Sequence, residues 1–139
     1  SNETYKTWFR SHIEENDVLF STVGNTAMCS IFYGEKLACI AQNIVGLRAN
    51  HQFITGDFLY YLLTEEKNNR LFKSIEMQAV QPSIKVSQMI DLVFNVPTIQ
   101  EQEKIAGFLT AIDERIDHTT AQLTHTKQWK KGLLQQMFV

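Results

Sequence analysis

"VPTIQEQEKIAGFLTAIDERID", residues 96–117, decides how the rest of the chain reads, because it spells out the start of a helix in full. Pro97 ends whatever precedes it, and Thr98 with Glu101 makes a T-x-x-E capping box. In such a box the Thr98 side chain accepts from the backbone N–H three residues on, while Glu101 reaches back to the cap. Glu101 and Glu103 set negative charge at the positive end of the helix dipole, and Lys127, Lys130 and Lys131 lie near its other end. No proline interrupts residues 98–138. The pattern predicts a helix of about 40 residues, about 60 Å long at the usual rise.

One face of that helix is apolar. Stepping alternately by four and three from Ile105 reaches Leu109, Ile112, Ile116, Thr119, Leu123, Thr126, Lys130, Leu133 and Met137, and seven of these ten positions are apolar. This is a coiled-coil stripe with a polar stretch in its later half. Phe108, Leu134 and Phe138 widen it at both ends. Such a helix calls for a second helix alongside; packing on its own domain is the plainer alternative. Gly107 costs about 1 kcal/mol relative to Ala at a helical position. It serves either the close approach of another backbone or nothing in particular.

Ahead of the helix the apolar period is shorter. "DVLFST", "AMCSIFY", "LACIAQ" and "IVGLRA" read as strands separated by turns at "VGNT" and "GEK", which suggests an antiparallel meander. The period then lengthens. Phe58, Leu59, Leu62 and Leu63 share a helical face with Asp57 or Thr55 as N-cap, and Thr64 is placed to cap a second helix carrying Leu71, Phe72 and Ile75. "MQAVQPSIK" is irregular, and "VSQMIDLVFNVP" predicts a helical turn followed by a last strand, Leu92 to Val96. Strands first and helices later make an α+β chain: a small, mixed, β-rich domain over residues 1–97 and one long coiled-coil-type helix over 98–139.

Composition excludes several classes. A hydrophobic fraction of 44% and an aromatic fraction of 11% in 139 residues describe a folded domain with a core. Nothing approaches a run of about 18 apolar residues, and the first ten residues lack a signal-peptide core, so no membrane span and a cytoplasmic location are expected. No CxxC or HExxH spacing occurs, so neither a metal nor a cofactor is expected. Cys29 and Cys39 flank the turn at Gly34; they either face each other across a hairpin or are buried thiols. The net charge of −2 argues against a protein that grips nucleic acid by bulk charge.

The residues of the long helix resemble the conserved helix of the DNA-specificity subunit of type I restriction-modification enzymes. In that family a strand ending in proline precedes E-Q-x-K-I, then L-x-x-I-D-x-x-I, then K-K-x-L-L-Q-x-x-F. Here Glu101, Gln102, Lys104 and Ile105 stand in the first motif, Leu109, Ile112, Asp113 and Ile116 in the second. Lys130, Lys131, Leu133, Leu134, Gln135 and Phe138 stand in the third. "ENDVLFSTVGNT" is similar to the family's G-D-x-L-x-S/T…G stretch, with Asn16 where glycine is more usual, and "GDFLYYLL" and "AVQPSIKVSQMIDLVFNVP" complete the order of elements.

The resemblance implies the C-terminal half of such a subunit: the later part of a target recognition domain followed by a spacer helix. It implies a non-catalytic module that reads one half of a split site in double-stranded DNA. The helix would pair with its twin in the complete subunit, or with a second copy of this chain as an antiparallel homodimer. Methyltransferase subunits would dock on that frame and supply S-adenosylmethionine. They would also share the work of neutralising phosphate, which accommodates the low charge of this chain.

Base edges are read by Asn, Gln, Ser, Thr, Arg and Lys on loops. Three stretches offer them. The first is Ser21, Thr22, Gly24, Asn25 and Thr26, where the glycine turn would let the backbone approach a phosphate. The second is Gln78, Gln81, Ser83 and Lys85 around Pro82, and the third is Gln42, Asn43 and Arg48. A small basic-aromatic cluster, Tyr5, Lys6, Trp8 and Arg10, reads as ordinary surface. Two rival functions draw on other residues. A cysteine hydrolase would need Cys29 or Cys39 with His51 and Asp57, yet both cysteines lie in apolar runs. A helix-mediated assembly module without DNA reading needs only the apolar stripe.

Overall fold

A computed structural model describes residues 11–34, 38–40 and 42–138. The Tyr5, Lys6, Trp8 and Arg10 cluster lies outside these residues. Among the described residues the strands are β1 (His12–Ile13), β2 (Val18–Ser21), β3 (Cys29–Ile31), β4 (Ala38–Cys39) and β5 (Ile44–Leu47). The helices are α1 (Gly56–Thr64), α2 (Glu66–Ser74), α3 (Val86–Met89) and α4 (Ile99–Met137). The chain is therefore α+β, with small antiparallel sheets first and a long helix last.

The strands do not form a simple meander. β2 is central, paired with β3 through Phe20↔Cys29 and with β5 through Phe20↔Val45, while β4 leaves to pair with β1 through His12↔Cys39. β1 is two residues long and carries no periodic signal to predict it. The two cysteines thus lie in different sheets, half-buried and free.

β2 alternates as a half-buried strand should: Val18 and Phe20 are fully buried, Leu19 and Ser21 are not. Phe20 meets Phe72 of α2 with ring centroids 4.9 Å apart, and Phe72 meets Phe94 at 5.8 Å. Leu63, Ile84, Met89 and Ala27 complete this core. Removing a buried ring such as Phe72 costs about 3–5 kcal/mol. The predicted strand from Leu92 to Val96 is absent. Leu92 and Phe94 pack on the core and Val93 is exposed, so burial alternates as in a strand, but the segment has no ladder partner among the described residues.

Caps define the helix starts. The Thr55 side chain accepts from Phe58 N at 3.3 Å, as predicted for α1. Thr64 does not cap α2: its hydroxyl donates back to the Tyr60 carbonyl at 3.0 Å, and Glu65 takes the capping role, accepting from Lys67 N and Asn68 N at 2.9 Å each. A residue already in the last turn of one helix cannot adopt the extended cap conformation of the next.

At α4 half of the capping box forms. Glu101 accepts from Thr98 N at 3.1 Å, but the Thr98 hydroxyl donates to the same carboxylate at 2.8 Å and caps no backbone N–H. Those two bonds hold the Glu101 carboxyl below its ordinary range. α4 is 39 residues long, about 58 Å at 1.5 Å per residue. No helix among the described residues is long and apolar enough to cross a membrane.

The chain divides into two compact units, Ser1–Glu103 and Lys104–Val139. In the first, Gln102 is 0% exposed. Its carbonyl accepts from Thr55 N at 3.0 Å and its amide donates to the Phe53 and Pro97 carbonyls at 2.9 Å each. The first turn of α4 is thereby stitched to the segment that caps α1.

Candidate nucleic-acid interface

The stretches picked out for polar contact converge at one end of β2. Thr22 N donates to the Asn43 carbonyl at 2.8 Å, which puts Gln42 and Asn43 beside the 21–26 turn. Gly24 N donates to the Pro82 carbonyl at 2.9 Å, and Ile84 N donates to the Thr22 carbonyl at 2.8 Å. Ser83 bridges Val23 on one side and Met77 on the other. The 78–82 loop is closed by that second bridge, with Met77 N donating to the Ser83 carbonyl at 2.7 Å. Separated by up to about 60 residues in sequence, these groups share one short edge.

Left-handed backbone conformations build the edge. Gly24 has φ 80°, and Ala27 and Asn43 have φ 61° and 74°. Asparagine tolerates this region far better than other non-glycine residues. The same property accommodates Asn16, with φ 67°, where the family resemblance expects glycine. Beside it Gly56 is required for space, since a Cβ at that position would lie 2.7 Å from the Asn16 carbonyl oxygen.

The edge separates its predicted residues into two groups. Asn25, Gln42, Asn43, Gln78, Gln81 and Lys85 are exposed. Thr22 and Thr26 are buried, and Ser21 and Ser83 are half-buried. The Ser21 hydroxyl donates to the Asn25 carbonyl and accepts from Met28 N, so it braces the turn. The Gly24 N–H is spent on Pro82 and is not presented to a phosphate; this glycine supplies conformation.

Behind the edge α2 presents Asn69 and Lys73, and Glu76 follows just past its end. Asn69 Nδ2 donates to the Ala27 carbonyl at 2.8 Å, and Lys73 Nζ donates to Thr26 Oγ1 at 2.6 Å. The Thr26 hydroxyl donates to Glu76, which also receives Lys73 at 3.2 Å and Gln78 Nε2 at 3.1 Å. The Thr26 bond, with help from Lys73, lowers the Glu76 carboxyl below its ordinary range. Asn69 and Lys73 lie about one turn apart on α2, on a polar face that the apolar periodicity of this stretch does not reveal.

Arg48 stands apart. It follows β5 at the opposite end of the strand from Asn43 and grips buried Asp17 with two bonds, Nε at 2.9 Å and Nη2 at 2.8 Å. Nη1 reaches Glu14 at 2.7 Å. Arg48 holds the Asp17 carboxyl below its ordinary range, aided by the bond from Glu14 N.

A thiol nucleophile has no support at Cys29, whose pKa burial pushes up to about 11.

On α4 most of the stripe is exposed. Ile105, Ile112, Ile116 and Leu123 are 39–55% exposed, Met137 is exposed, and Leu109 and Leu133 are half-buried. A Cβ added at Gly107 would meet nothing within 4 Å.

Residues 10–126 match the family model of the type I restriction modification DNA specificity domain. A provisionally named type I restriction enzyme MjaX specificity subunit of Methanocaldococcus jannaschii is 31% identical over 127 residues, 88% of this chain and 30% of that protein. The HindI specificity subunit of Haemophilus influenzae is 23% identical over 91% of this chain and 28% of its own length. The chain thus spans just under a third of the curated relatives it matches. A crystal structure of the type I restriction-modification S subunit from M. genitalium shares the fold, with TM-score 0.57 and 20% identity over 79% of this chain and 28% of that one.

Proposed function

The chain belongs to the type I restriction-modification DNA specificity family, and on that premise we propose that it reads one half of a bipartite DNA site. The first part, over residues 1–97, is the later portion of a target recognition domain, and residues 98–139 form a spacer helix that pairs with a second helix. The module is non-catalytic and holds no cofactor. Its partners are double-stranded DNA, methyltransferase subunits docked on the helical frame, and a helix antiparallel to α4 from the complete subunit or a second copy.

The observation that carries this reading is the convergence of Asn25, Gln42, Asn43, Gln78, Gln81 and Lys85 on one braced edge. Carboxamides are the side chains suited to paired donor and acceptor contacts with base edges. Lys85 supplies local charge, while most phosphate neutralisation falls to the partners. Ser21, Thr22, Thr26 and Ser83 serve by shaping the edge. Arg48 belongs to the reading surface only if it leaves Asp17.

The test is binding of duplex DNA by wild type, Asn25→Ala, Gln81→Ala and Lys85→Ala across a range of salt. The carboxamide variants should relax preference at one base pair each, by about 1–3 kcal/mol, with the salt dependence unchanged. Lys85→Ala should weaken all sequences alike and reduce the salt slope by about 1. Equal loss for every sequence in all three variants would contradict base reading. The assembly reading is favoured by a different observation, the exposed stripe on α4. Ile112→Asp with Ile116→Asp should abolish self-association and methyltransferase binding while leaving the first unit folded.

A further inference from the structure

Val80 is the most exposed apolar side chain among the described residues, at 109% of its reference area. It sits in the middle of the 78–82 loop, with exposed carboxamides at Gln78 and Gln81 on either side. The loop is not loose. Met77 and Ser83 exchange two backbone bonds, 2.7 and 3.3 Å, and the Pro82 carbonyl is tied to Gly24 N at 2.9 Å. Gln78 is exposed, and its Nε2 donates to Glu76 at 3.1 Å. Glu76 is itself fixed, with a side chain only 8% exposed against Lys73.

An apolar side chain that touches nothing in its own fold contributes nothing to the core. Held rigidly between two hydrogen-bonding amides, it matches a surface that presents an apolar group beside donors and acceptors. In the major groove of DNA the one such apolar group is the C5-methyl of thymine. Resting on the base-reading function proposed above, we infer that Val80 is a specificity-determining residue that contacts a thymine methyl at one position of the target site. A valine reaching a methyl selects thymine over cytosine at that position and adds no phosphate contact.

The experiment removes the methyl alone. The duplex enriched by the wild-type chain from a random library is remade with each thymine in turn replaced by deoxyuridine, and wild type and Val80→Ala are titrated against the set. At one position wild type should bind about fourfold more weakly, the worth of one buried methyl. Val80→Ala should bind the unmodified duplex more weakly by a comparable factor and be indifferent to deoxyuridine there, with an unchanged salt slope. Wild type that selects a site yet tolerates deoxyuridine everywhere overturns the assignment and leaves base reading intact. Wild type that enriches no sequence overturns base reading and this inference with it. Val80→Ala that keeps full DNA selectivity but loses methyltransferase binding places Val80 in a protein interface and overturns it as well.

Discussion

Replacing Gln102 with methionine removes an amide while keeping length, helix propensity and most of the volume. Three backbone groups then lose their partners: Thr55 N and the Phe53 and Pro97 carbonyls, all now bonded at 2.9–3.0 Å to a side chain with 0% exposure. Each bond is worth about 1 kcal/mol net, and a buried group left unsatisfied costs about 1–3 kcal/mol. Gln102→Met should therefore lower stability by about 3 kcal/mol, a large share of the 5–15 kcal/mol typical of a domain. Equilibrium urea unfolding followed by near-ultraviolet circular dichroism measures it, with the denaturant slope expected to stay constant. Gln102→Glu provides a check on the sign. At neutral pH a carboxylate would face two carbonyl oxygens, so the loss should be larger, and the folded-state pKa of the new group would be raised. Relief begins as pH falls through that raised value and is complete below about 4, the unfolded value. A loss under about 1 kcal/mol for Gln102→Met would mean that the three backbone groups find other partners and that Gln102 does not hold the helix start.

Three further outcomes follow from the same physical chemistry. Because Arg48 depresses the Asp17 pKa, that pair's stabilisation is fully present above about pH 4 and is lost as pH falls through the folded value. An acid unfolding curve of Asp17→Asn should lack that component, while those of Glu76 and Glu101, lowered in the same direction, persist. Arg48→Ala, which leaves Asp17 with the Glu14 N–H, should cost about 1–3 kcal/mol in urea, the half-exposed guanidinium being partly screened by solvent. Gly107→Ala should raise helix stability by about 1 kcal/mol in the unpaired chain, read by circular dichroism, since nothing lies within 4 Å of the added Cβ. A loss on pairing with a second helix would identify Gly107 as a point of close approach.

Much of the fold was legible because its signals are local. The cap at Thr55, the strand alternation around Phe20 and the unbroken run after Pro97 each depend on neighbours in sequence. What was illegible depends on distant partners. The stretch from Leu92 to Val96 has strand composition, yet a strand exists only where a ladder partner does. β1 has too few residues to show a period, and its identity is set by β4. Gln102 could be matched to a motif, but its work of joining residues 53, 55 and 97 appears only in three dimensions.

The candidate site divides in the same way. Residue type picked out the three polar stretches, and the turn at Gly24 was correct in kind. Type alone could not tell Asn25, which faces outward, from Thr26, which is buried against Glu76 and Lys73. Nor could it show that Arg48 is engaged by Asp17, because a guanidinium suits a buried carboxylate as well as a base edge. Val80 went unnoticed because an apolar residue in a loop carries no signal until its exposure is known.

Whether this chain reads DNA sequence is decided by selection from a randomised duplex library at low salt, with and without the methyltransferase subunit. The expected result is enrichment of a few contiguous base pairs that becomes weaker when Gln81 or Asn25 is replaced by alanine. No enrichment under either condition, with the helix still drawing the methyltransferase subunit, would contradict it and leave an assembly module that never reads DNA.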